Sequence, residues 1–159
     1  MTPTVDRVAG RWSAVRPFAA VAGLAIVGGG IVAAVTRPTG FGNGSWLAAY
    51  LVLVVGVAQA LLGGGQAVMA ERPPAASTVR AELVTWNLGA AAVVVGTLVT
   101  APVLTTLGGV ATAVALVLFL LGVRRVGASP AWLPFVYRAL VAVVLVSVPI
   151  GLVLAWVRH

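Results

Sequence analysis

Apolar positions along this chain fall in long unbroken runs, not in the alternating or striped patterns of a water-soluble fold. Five runs stand out, at residues 18–35, 46–69, 83–104, 107–123 and 135–157. A helix needs about 20 mostly apolar residues to cross a hydrocarbon core of about 30 Å. In hydrocarbon each backbone amide must also find its partner within its own segment, which selects helix. The pattern therefore predicts an all-α membrane protein: a five-transmembrane-helix bundle forming a single integral membrane domain over residues 1–159. The first four runs carry no charge, and the fifth carries only Arg138.

The third and fourth runs are nearly continuous. One helix over both would be about 60 Å long at 1.5 Å per residue, twice the core thickness. A turn is required, and Pro102, Thr105, Thr106, Gly108 and Gly109 are the breakers at hand. The first run follows Arg7, Arg11 and Arg16, so a cleaved signal peptide is the alternative to a retained span. Its length and the spans behind it favour retention.

The arginines set an expected orientation. Seven lie before span 1, after span 2 and after span 4, namely Arg7, Arg11, Arg16, Arg72, Arg80, Arg124 and Arg125. On the other side lie two, Arg37 and Arg158. Basic loops stay in the cytoplasm, so the N-terminus is expected to be cytoplasmic and the C-terminus outside. Trp46, Trp86, Trp132 and Trp156 fall at or near span ends, where an indole keeps its N–H in water. Arg138 sits one turn inside span 5, where it can snorkel to the headgroups. The sharper alternative is an ion pair with Glu82 at the start of span 3, on the same side.

Composition narrows the class. Hydrophobic residues make up 61% of the chain and charged residues 8%, against about 25% charged in a soluble domain. The net charge of +7 is confined to short segments between apolar runs. That distribution points to anionic lipid headgroups on the cytoplasmic side as a partner, and away from nucleic acid. There is no Lys and no Cys, while Ala, Val and Gly abound, a usage that suggests a bacterial plasma (inner) membrane protein.

The side chains of membrane chemistry are scarce. The only His is His159, Met1 and Met69 are the only methionines, and Asp6, Glu71 and Glu82 are the only acids. Haem ligation, a zinc hydrolase site and a nucleophilic triad all lack their groups. Proton-coupled transport commonly uses intramembrane Asp, Glu or His. No catalytic residue, metal site or cofactor is expected, and the chain is read as not an enzyme.

Uncharged polarity remains. In span 2, Gly56, Gln59, Gly63 and Gln66 are spaced to share one helical face. Span 3 repeats the theme with Thr85, Gly89, Ala92, Gly96 and Thr100, and span 1 with Ala25, Gly29 and Ala33. Such faces let helix backbones approach closely, and the amides can hydrogen-bond across the gap. Gly56, Gln59, Gly63, Gln66 and Asn87 are thus candidate helix-contact or ligand-lining residues. Gly28-Gly29-Gly30 and Gly63-Gly64-Gly65 invite local unwinding or very close packing. The expected function is that of an accessory or scaffold subunit in a larger membrane complex, bound to another membrane protein or to itself. A small oligomeric transporter or channel is the first alternative, and a lipid- or quinone-binding protein using Gln59, Gln66 and Asn87 is the second.

Overall fold

The structure is a computed structural model that describes residues 3–127, 130 and 132–157. Arg158 and His159, used above, lie outside these. The described residues form five long helices: α1 (Pro3–Thr39), α2 (Gly44–Met69), α3 (Ala76–Leu98), α4 (Pro102–Gly122) and α5 (Trp132–Val157). Each contains a stretch long and apolar enough to cross a membrane. The expected five-helix membrane bundle is therefore the fold.

The chain runs up and down. Arg11 near the start of α1 meets the end of α2, and the α2–α3 turn meets the α4–α5 turn, so these ends share one face of the bundle. At the opposite face, Trp156 Nε1 donates to Thr106 Oγ1 at 3.2 Å, joining the end of α5 to the start of α4. The first face collects Arg11, Arg72, Arg80, Arg124 and Arg125 and is called the arginine-rich end below.

The helices outrun most of their apolar runs, and the difference matters most at the third. Helix α3 begins at Ala76, ahead of its run at 83, and ends at Leu98, short of 104. The turn before α4 is confined to Val99–Thr100–Ala101, where Ala101 N–H donates to Gly96 O at 2.7 Å and Thr100 adopts φ +54°. This is the left-handed closure common at helix ends, here taken by a β-branched residue. Pro102 opens α4, where its missing N–H is no loss. Thr105, Thr106, Gly108 and Gly109 are consequently helical, not breakers. The threonine hydroxyls bond back to the carbonyls of Ala101 and Pro102.

The shift carries Trp86 from a span end into the core, where it is fully buried. It meets Phe119 edge-on at 6.1 Å, and Phe119 meets Phe18 at 5.6 Å. With Leu62, Met69, Leu116 and Val141 these rings form the large-residue core. Trp12, Trp132 and Trp156 are exposed, as an interfacial residue should be.

The glycine triplets do not break their helices. In α1 the helix runs continuously past Gly28, Gly29 and Gly30, and Gly29 alone is pressed against α2, where a Cβ would lie 2.9 Å from Ala48 O. Helix α2 instead changes winding ahead of its triplet: Leu51–Ala58 forms a π-helix between two α-helical stretches. Its wider turn packs directly on α1, with Val52 against Gly29 and Gly56 against Ile26.

Candidate functional site

The span 2 face is turned inward. Gly56 and Gly63 admit α1: a Cβ on Gly56 would lie 2.6 Å from Ile26 Cγ1, and one on Gly63 would strike the Phe18 ring. Gln59 and Gln66, from the same stripe, are fully buried. These residues are helix-contact residues within one chain.

Two side-chain pairs cross from α2 to α3. In the first, Asn87 Nδ2 donates to Gln59 Oε1 at 2.7 Å and to Leu83 O at 2.8 Å, while Gln59 Nε2 reaches Phe18 O on α1 at 3.5 Å. Three helices are thereby tied at one level. In the second, Gln66 Nε2 donates to Glu82 Oε1 at 2.9 Å. Glu82 is fully buried, in the second turn of α3. It was expected at a span edge, and the earlier start of α3 is what brings it inside.

The alternative placed on Arg138, an ion pair with Glu82, is not formed in the structure. Glu82 faces Gln66, whereas Arg138 is exposed on α5. An exposed guanidinium one or two turns from a helix start suits snorkelling. The α5 residues that do face the core are Val141 and Tyr137, whose hydroxyl donates to Phe119 O at 3.4 Å.

The second pair is incomplete. Gln66 Oε1, Glu82 Oε2 and Trp86 Nε1 are buried without a hydrogen-bond partner among the described residues. Trp86 follows Glu82 by one helical turn, so the three groups belong to one neighbourhood of the α2–α3 interface. An unpaired buried polar atom costs about 1–3 kcal/mol, and more when charged. Gly122 of α4 backs the Gln66 amide so closely that any Cβ there would collide with it. The amide is thus confined between α3 and α4.

Sequence reasoning missed two contributors. Arg11 was read only as a basic anchor, yet its guanidinium donates to Ala67 O at 2.9 Å, Val68 O at 2.5 Å and Ala70 O at 3.2 Å. It therefore closes the end of α2, satisfying carbonyls left over by the helix. Trp86 was missed because the expected span edge lay too close to it. No group of three His, Cys, Asp or Glu residues able to hold a metal ion occurs among the described residues. Compared with protein families, with curated proteins and with solved structures, the chain matches none.

Proposed function

We propose that this chain is a non-enzymatic accessory or scaffold subunit of a larger membrane assembly, embedded in a bacterial plasma membrane with its arginine-rich end in the cytoplasm. The observation that carries the reading is the state of α5. Of its described residues from Trp132 to Ile150, only Tyr137 and Val141 are buried. Phe135, Val136, Val143, Val146 and Ile150 present apolar surface outward. The polar side chains of α2 and α3, by contrast, are engaged with each other inside the chain. A helix attached along one narrow edge is the natural place for a neighbouring span to pack, since close packing drives association in lipid.

A small transporter or channel is the competing reading. One observation favours it: a buried carboxyl inside a span, with Oε2 unpartnered. Intramembrane acids are functional candidates by default. The quinone-binding reading has less support, because Gln59 and Asn87 already bond to each other.

The test combines native purification with single-Cys crosslinking in a chain that has no Cys of its own. Cys at positions 136 and 143 of α5 should trap a different membrane protein, while Cys at 53 and 61 of α2 should not. A pure homo-oligomer would turn the assignment toward the transporter, and a monomer retaining only a lipid or quinone would end it. A reporter active only in the cytoplasm, fused after His159, should be silent. A strong signal from it would overturn the orientation.

A further inference from the structure

Arginines from two loops far apart in the sequence converge on one cleft at the arginine-rich end. The α2–α3 turn and the α4–α5 turn are joined by an antiparallel bridge between Ala70 and Val126. Glu71 N–H donates to Arg125 O at 3.1 Å, and Gly127 N–H donates to Met69 O at 2.9 Å. The bridge fixes Arg72 on one wall and Arg124 and Arg125 on the other of a cleft of about 340 Å³. Gly122 and Leu121 form its membrane-side boundary, and Leu121 is itself exposed on the lipid-facing surface.

Arg72, Arg124 and Arg125 are all exposed, and three positive charges lining one cleft repel one another unless something negative joins them. Glu71 also lines the cleft and supplies one carboxylate. Helices α2 and α4 end here, each C-terminus carrying about half a negative charge, but Arg11 already occupies the carbonyls of α2. The balance stays positive. Guanidinium forks match the oxygens of phosphate, and a cleft at the lower end of about 300–1,000 Å³ is of the size that holds small ligands. Two converging walls distinguish this place from a basic surface that attracts anionic lipid in general.

We propose that the cleft between Arg72 and the Arg124–Arg125 pair binds the phosphate group of an anionic ligand, either a phospholipid headgroup or a soluble phosphate compound. The inference stands on the bridged loops and does not depend on the accessory-subunit reading. Leu121 at the rim offers a lipid's acyl chain a path onto the outer face of α4.

The test uses the full chain and two probes. Phosphatidylglycerol is followed by native mass spectrometry from mixed micelles with phosphatidylcholine, and pyrophosphate is titrated onto the chain in phosphatidylcholine nanodiscs. The double variant R72Q/R124Q should lose about tenfold or more in affinity for the bound probe, about 1.4 kcal/mol or more, because each substitution removes a charge-assisted hydrogen bond to the phosphate. The control R80Q/R138Q removes equal charge from exposed arginines outside the cleft and should stay within about twofold of the parent. Gly127→Pro removes a bridge donor and no charge, and should weaken binding as the double variant does. Retention of phosphatidylglycerol alone identifies a lipid site, and binding of pyrophosphate alone a soluble ligand. Equal losses in the two double variants would reduce the cleft to diffuse attraction and overturn the proposal. So would full binding by Gly127→Pro, or binding of neither probe. Thermal unfolding of each variant separates a lost site from a lost fold.

Discussion

The α3–α4 hairpin and the interior between α2 and α3 hold together by different means. In the hairpin the backbones touch: a Cβ on Gly108 would lie 2.6 Å from Gly89 O, and one on Gly89 would lie 2.9 Å from Gly108 O. Gly96 adds a second close approach, to Thr105. In the interior, side chains carry the contact, with Gln59, Gln66, Glu82 and Asn87 bonded across helices and the Phe18, Trp86 and Phe119 rings beside them. The hairpin should tolerate loss of polarity and no gain of volume. The interior should tolerate changes that keep a polar partner and suffer from those that remove one.

The sharpest way to break the comparison is Gly108→Leu. Its side chain would meet backbone that cannot swing aside, so a loss of about 3 kcal/mol or more is expected, seen as failure to purify as a single species. If this variant folds with parental stability, the hairpin is not backbone-packed.

Next in size is Gln66→Leu, which leaves the Glu82 carboxyl buried with no donor. The expected loss is about 2–3 kcal/mol in detergent unfolding. Adding Glu82→Gln should restore part of it, because the group left alone is then a neutral amide, and the two substitutions should be coupled by more than about 0.5 kcal/mol. Glu82→Gln and Arg138→Gln should instead be additive. Strong coupling there would revive the ion pair that the exposed position of Arg138 argues against.

The smallest effect is expected at Gln59→Leu. An interhelical hydrogen bond in a membrane averages about 0.6 kcal/mol, so the loss should be of that order and well below that of Gly63→Leu, which collides with Phe18. A Gln59 effect exceeding the Gly63 effect would show that polarity, not close packing, governs the α1–α2 contact.

Much of this molecule can be read from its residues in order. The small-residue face of α3 is an example: Gly89 and Gly96, singled out by spacing, are the glycines that meet α4. The stripe of α2 likewise faces inward as its period implies. The α3 boundary was misplaced because Ala76, Ser77, Thr78 and Arg80 are not apolar enough to count as span, although they are good helix residues once Pro73 and Pro74 have ended the preceding turn. That shift of a few residues decided whether Glu82 and Trp86 were read as surface or interior. The π-helical winding of Leu51–Ala58 left no sign in a run of Leu, Val, Gly and Ala that suits any helix.

By itself, then, the sequence determined the class of the protein, the number of apolar helices and the inward faces of α2 and α3. These follow from terms that add residue by residue along the chain: transfer into hydrocarbon, the need of each backbone amide for a partner, and helical period. Only the tertiary structure decided that Gln66 meets Glu82 and Gln59 meets Asn87, that Arg11 closes α2, and that Arg72, Arg124 and Arg125 line one cleft between bridged loops. Those pairings depend on the rotation and height of each helix against its neighbours. Close-packed side chains set both, and they come from segments that no local pattern connects.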